Sequence, residues 1–254
     1  MKQLVKRPAG VLRVLRPKQI KSRFEQFLYE SYYKHVFGKK TRLATHLSGR
    51  VASWEKRHGR RDIPVSQEMW DSEYAAGVWG DLGDLEELAR YSVIAGYIQF
   101  LKPGGSVLDV GCGEGILLHR LNPEAYSKYL GIDFSKAAID HAAAKSAAHM
   151  GRFAQADAEK YVPDEDFDAI IFNEVLYILD QPLEVVQRYE SWLRPGGVFI
   201  ISFYEKSARA VAVSSRLKER YNPIDEVRIS TKTDAWIIHV LAPKPRSRRD
   251  DKIS

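Results

Sequence analysis

The chain has 254 residues, 44% hydrophobic and 28% charged, a balance that suits a globular fold and excludes a disordered or collagen-like chain. No apolar run approaches the roughly 18 residues that a membrane-spanning helix needs, and no secretory pattern opens the chain. Its single cysteine, Cys112, rules out an intrachain disulfide framework and points to the cytoplasm.

The net charge of +6 is unevenly placed: residues 1–62 hold 17 Lys or Arg against 4 Asp or Glu, and residues 63–254 hold 22 against 29. A basic N-terminal extension over 1–62 is therefore expected to precede an acidic body over 63–243, followed by a disordered basic tail over 244–254. Within the extension, Ile20, Phe24, Phe27, Leu28, Tyr32 and Val36 fall at helical spacing. Four readings stay open for it: a solvated basic face, peripheral contact of residues 1–37 with an anionic membrane, a grip on RNA phosphates, or a targeting peptide. The apolar stripe favours the membrane over RNA, so the protein is placed in the cytoplasm or at a membrane surface.

Asp84–Leu101 reads as an amphipathic helix stopped by Lys102-Pro103-Gly104-Gly105. From there strands and helices alternate. The strands are Ser106–Val110, Tyr129–Asp133, Phe153–Asp157, Ala169–Val175 and Val198–Phe203; the helices are Ile116–Leu121, Lys136–Ala148 and Leu183–Leu193. Short, continuous apolar runs suit strands covered on both faces, and their alternation with helices predicts a doubly wound, mostly parallel sheet. A helix over Ala208–Tyr221 and strands over Glu226–Ser230 and Trp236–Leu241 close the body, with an antiparallel strand expected at the end of the sheet.

VLDVGCGEG (107–115) runs an apolar strand into Gly111, Gly113 and Gly115. Such a loop is either an ordinary turn or a cradle for a ligand, since glycine lets another group approach the backbone closely. The spacing departs from the dinucleotide fingerprint, whose third glycine would fall at Ile116. Asp133 and Asp157 end successive strands; each could cap a helix or turn, or accept hydrogen bonds from a ribose or an adenine amino group. Phe134 could lie against a purine. No cluster of His, Asp and Glu nominates a metal, and His141 and His149 read as surface residues.

These stretches, with YLGIDFS (129–135), AQADAE (154–159), FDAIIFNEVLYIL (167–179) and LRPGGVFIISF (193–203), resemble the class I S-adenosylmethionine-dependent methyltransferases in order and spacing. The resemblance implies a Rossmann-like seven-stranded sheet with an antiparallel last strand, and S-adenosyl-L-methionine as cofactor. It implies that Gly111, Gly113 and Gly115 pass the methionine half, that Asp109 anchors its ammonium, and that Asn173 lies near it. Asp133 would hold the ribose, Phe134 the adenine face, and Asp157 with Ala158 the adenine edge. Glu174 and Tyr177 would face the transfer site as catalytic candidates, or else serve as a helix-start acid and a packed aromatic. In related small-molecule enzymes a Tyr- and Trp-containing segment before the first motif folds over the cofactor; here Tyr74 and Trp79 in MWDSEYAAGVWGDL (69–82) match it. NEVL (173–176) lacks the two prolines of enzymes that methylate exocyclic amines of bases. The expectation is O- or N-methylation of a small molecule such as a saccharide or lipid-linked intermediate, ahead of an RNA methyltransferase or a cofactor-binding protein without activity.

Overall fold

Seven strands pair into one sheet: β1 (Gly105–Val110), β2 (Tyr126–Asp133), β3 (Gly151–Gln155), β4 (Phe167–Asn173), β5 (Leu193–Tyr204), β6 (Asn222–Ser230) and β7 (Ala235–Ala242). Five helices accompany them among the described residues: α1 (Gln67–Ala75), α2 (Leu85–Leu101), α3 (Lys136–Lys145), α4 (Pro182–Tyr189) and α5 (Ala208–Arg220). The computed structural model describes residues 67–77, 79–146, 151–232 and 234–245. The basic extension over 1–62 with its expected helix, the membrane contact of 1–37, His149 and the end of the tail lie outside these residues.

The strand order is β3-β2-β1-β4-β5-β7-β6, with β7 antiparallel to both neighbours and the other pairs parallel. The chain builds outward from β1 to β3, returns to lay β4 on the other side of β1, and continues. The direction reverses between β1 and β4, and it is outside the carboxyl ends of strands at such a point that open α/β sheets bind ligands.

Period-two alternation sorts the strand residues into two cores. Val107, Ala169 and Ile171 join Ile94 and Ile98 of α2 on one face. Leu108, Ile170 and Phe172 join Val185 and Tyr189 of α4 and Leu217 of α5 on the other. Side-chain caps start two of the helices, Ser135 accepting from the Ala138 amide and Ser207 from the Ala210 amide. Pro182 opens α4 at a position where its missing N–H is not needed.

Several boundaries differ from the sequence expectation. Ile116–Leu121 is no α-helix: its bonds run three residues back, Leu118 to Gly115 and Arg120 to Leu117, and Pro123 leaves no room for a further turn. The strand expected over Phe153–Asp157 stops at Gln155: the Ala156 amide makes the last ladder bond, to the Asp133 carbonyl at 2.8 Å, and Asp157 then accepts in a turn from the Glu159 amide. The fourth strand stops at Asn173, since Glu174 has φ +64° and leaves the extended region. The helix expected to Leu193 ends at Tyr189 and passes through one 3-10 turn, Glu190–Trp192, into β5. The antiparallel strand β7 is last in sequence but not at the edge; β6 takes that place, where Pro223 is tolerated.

Phe172 is fully buried, packed edge-on to Tyr189 at 5.4 Å and tilted against Phe199 at 6.3 Å. Phe172→Ala should lower the unfolding free energy by about 3–5 kcal/mol, measured by urea denaturation; a loss below about 1 kcal/mol would mean the sheet collapses readily around the cavity.

Candidate active site

Where β1 ends, the backbone passes through positive φ at Gly111 (+75°), Gly113 (+53°) and Gly115 (+75°). At Gly111 a Cβ would stand 2.2 Å from Val175 Cγ2, so conformation and space both demand glycine there. The loop is docked onto β2: the Gly111 and Cys112 amides both donate to the Ile132 carbonyl, at 2.7 and 3.0 Å, and the Gly113 amide donates to Asp133 Oδ2 at 2.9 Å. Burial pushes the Cys112 thiol well up, which leaves it a packed, inert residue.

Asp109 lies beneath this loop, 1% exposed. Tyr129 donates its hydroxyl to Asp109 Oδ2 at 2.5 Å, while Oδ1 is buried and has no partner among the described residues. Burial pushes the Asp109 carboxyl up to about 7; the Tyr129 hydrogen bond pulls it down, the Asp133 charge raises it and the Arg90 charge lowers it.

Helix α1 roofs the loop. Tyr74 is buried, with its hydroxyl 2.9 Å from where a Gly113 Cβ would stand, and it lies in a cluster with Trp70 and Trp79 whose centroids are 5.4–6.4 Å apart. Asp71 on the same helix accepts from the Ser135 hydroxyl at 2.6 Å and the Ala137 amide at 3.1 Å, at the positive end of α3. Trp79 donates its indole N–H to Glu73 at 3.2 Å. The segment that carries Tyr74 is therefore a helix anchored beside Asp133.

Asp133 closes that side, accepting from the Gly113 and Ser135 amides at 2.9 Å each. Phe134 follows, half-buried. Asp157 lies two residues beyond β3, where Oδ1 accepts from the Glu159 amide at 2.9 Å and Oδ2 pairs with Lys160 at 2.7 Å. The Ala158 carbonyl accepts from Arg188 at 2.7 Å and from the Tyr189 hydroxyl at 3.1 Å, so α4 holds this turn in place.

A second group gathers at the end of β4. Glu174 Oε2 accepts from the Tyr177 hydroxyl at 2.7 Å, and the Ser202 hydroxyl lies 2.7 Å from Glu174 Oε1 and 2.8 Å from Asn173 Oδ1. The Glu174 amide donates to Ser202 Oγ at 2.9 Å, which stabilises the left-handed backbone of a non-glycine residue. Arg90 donates to Asn173 Oδ1 and, through Nε and Nη2, to Glu87 at 3.1 and 2.5 Å. Burial pushes the Glu174 carboxyl up, against the Arg90 charge and the Tyr177 and Ser202 hydrogen bonds.

The structure thus brings Asp109, the glycine loop, Asp133 and Tyr74 together, and links Asn173, Glu174 and Tyr177 through shared partners. Arg90, Tyr129 and Ser202 were missed in the sequence reading. Arg90 stands four residues before buried Ile94 in α2, and Ser202 interrupts the apolar VFIISF; a lone polar residue on an apolar face was the available signal.

The unfolded Asp109 carboxyl ionises near ~4, and the folded one near 7, so between those values the folded state binds the extra proton. Its stability then falls as pH rises through that window, by about 1.4 kcal/mol per pH unit for this group. In Asp109→Asn the slope disappears, so the stability difference from wild type should shift in the variant's favour up to about pH 7 and then level. Urea unfolding across pH checks it; a difference independent of pH would place the ionisation elsewhere.

A family model described as a methyltransferase domain matches residues 85–238. Malonyl-(acyl-carrier protein) O-methyltransferase of Halalkalibacterium halodurans is 32% identical over 105 residues, 39% of this chain and 39% of that protein. Phosphoethanolamine N-methyltransferase 1 of Zea mays is 38% identical over 111 residues, 42% of this chain and 22% of that protein. The matched region spans less than half the length of these curated relatives. The crystal structure of N-methyltransferase NodS from Bradyrhizobium japonicum WM9 with S-adenosyl-L-homocysteine superposes with a TM-score of 0.61 at 20% identity, over 70% of this chain and 98% of that one, a likeness of fold. The match to the family model covers more than half of the chain, and the chain belongs to the methyltransferase-domain family of class I S-adenosylmethionine-dependent methyltransferases.

Proposed function

We propose that this protein transfers a methyl group from S-adenosylmethionine to an O or N atom of a small polar acceptor, such as a saccharide or a lipid-linked intermediate. The observation that carries the reading is the Asp109 carboxylate oxygen, buried and unpartnered beside the positive-φ glycine loop. An ammonium group satisfies such an atom, and its charge favours the ionised carboxylate. The cofactor fits the residues present on that ground, and when bound it supplies a methyl group already activated on a sulfonium.

The chain's own contribution is to hold and to orient. Asp109 would take the ammonium, Gly111 and Gly113 would let the methionine half lie against the backbone, and Asp133 would receive the ribose hydroxyls with its remaining lone pairs. Phe134 would cover one adenine face, while Asp157 and Ala158 would meet the edge. Tyr74 and its neighbours on α1 exclude water above the loop. Asn173 would lie by the methionine half, and the Glu174 carboxylate would take the proton of the acceptor's O–H or N–H, leaving the electron pair on the acceptor atom. Tyr177, donating to Glu174, would orient that carboxylate. The small-molecule acceptor is supported by the activity of the phosphoethanolamine relative and by the roof that α1 places over the site.

Transfer of labelled methyl from S-adenosylmethionine into a cell extract, followed by fractionation, tests the reading. Label is expected in small-molecule, saccharide or lipid material; label in nuclease-sensitive material or protein would overturn the acceptor class. Asp133→Ala should weaken S-adenosylhomocysteine binding about ten- to a hundredfold, the loss of charge-assisted hydrogen bonds to the ribose. Unchanged affinity by calorimetry would refute the placement of the ribose.

A further inference from the structure

Arg90 is 2% exposed, and its guanidinium stacks over Tyr91 at 4.7 Å and Trp236 at 5.6 Å while donating to Glu87 and Asn173. Burying a guanidinium is costly, and a well-packed apolar residue of similar volume would suit helix-on-sheet packing as well or better. Helix α2 already packs through Ile94, Ala95 and Ile98, so packing alone does not account for this residue. Its hydrogen bonds run instead to the end of β4. A guanidinium has five donors and no acceptor, so Asn173 must turn Oδ1 towards it. The Asn173 amide nitrogen is thereby turned away from Arg90, as a donor with no hydrogen bond among the described residues.

We propose that Arg90 is the positioning residue of the acceptor site, fixing the Asn173 amide by a hydrogen bond and the Glu174 carboxylate by charge so that Glu174 receives the acceptor's proton. The inference rests on the methyl-transfer reading of Glu174. The groups facing Glu174 are Arg90 and Glu87 from α2, Asn173 and Tyr177 from β4 and its following turn, and Ser202 and Tyr204 from β5. Asp234 stands behind Tyr204, accepting from its hydroxyl at 2.6 Å. Among these described groups Arg90 is the cation whose charge acts on Glu174, with Lys206 further out on Asp234 at 3.5 Å; Glu87 is of like sign to Glu174 and opposes its ionisation. Without Arg90, burial and Glu87 act together, and the carboxyl holds its proton to higher pH. A protonated Glu174 cannot take a second proton, so loss of Arg90 narrows the pH range in which this carboxylate can serve as a base, even where the fold survives.

The test is a carbon-13 titration of the Glu174 carboxyl in the full chain saturated with S-adenosylhomocysteine, with the resonance assigned through Glu174→Gln. Arg90→Met should raise the midpoint by about one pH unit or more, and Arg90→Lys, which keeps the charge, should restore most of that shift. Glu87→Gln should move the midpoint the other way, downward. A packing role for Arg90 would lower thermal stability in both Arg90 variants without this charge-dependent pattern. A midpoint within about 0.3 pH unit of wild type in folded Arg90→Met would overturn the proposal. If Arg90→Met does not fold, an unchanged or raised midpoint in Glu87→Gln does so. Should wild type fail to bind S-adenosylhomocysteine, the methyl-transfer reading fails, and the same titration without it still measures the coupling of Arg90 to Glu174.

Discussion

Three consecutive amides of the glycine loop hang from the end of β2. Those of Gly111 and Cys112 share the Ile132 carbonyl, and that of Gly113 takes the Asp133 carboxylate. The rest of the site is referred to this attachment. It holds the loop in a conformation that only glycine adopts readily, and it sets Asp109 beneath the loop, out of water. The same carboxylate accepts from the Ser135 amide, while Asp71 takes the Ser135 hydroxyl, so the roof helix is registered to the very strand end that holds the loop. Shifting β2 by one residue would lose the loop, the lid and the acid together.

The electrostatics follow from burial. Asp109 and Glu174 both lie where water is excluded, and in both the carboxyl is pushed towards its protonated form. Asp109 has its opposing hydrogen bond from Tyr129 and keeps one empty acceptor atom, which a cationic ligand can fill. Glu174 has its acceptors occupied by Tyr177 and Ser202 and its charge opposed by Arg90. Two acids with similar burial thus differ in their surroundings: Asp109 keeps an unpartnered oxygen among the described residues, and Glu174 has the Arg90 charge to oppose its protonation. Arg90 lowers both, which makes a single buried guanidinium the link between the two halves of the site.

The loop was legible because its residues are local: three glycines after an apolar strand, with Asp109 two residues before the first. Strand existence was legible for the same reason, since apolar runs of five to eight residues reach both cores by simple alternation. Boundaries were less so. Glu174 carries no local mark of a left-handed backbone; Ser202, 28 residues later, supplies the hydrogen bond that accompanies it. Asp157 looked like the end of a strand, but β2 ends at Asp133 and pairs no further than Gln155, and Asp157 opens a turn that accepts from the Glu159, Lys160 and Tyr161 amides.

Composition and spacing by themselves determined the class of fold, the glycine loop after the first strand and Asp133 at the end of the second, because periodicity and turn chemistry act within a few residues. The tertiary structure alone decided that β7 enters between β5 and β6, that α1 is an anchored roof, and that Arg90 meets Asn173 across 83 residues of chain. Those outcomes depend on which buried polar groups find partners once distant segments pack, and hydrogen-bond partnership across a core leaves no mark on the local pattern of either segment.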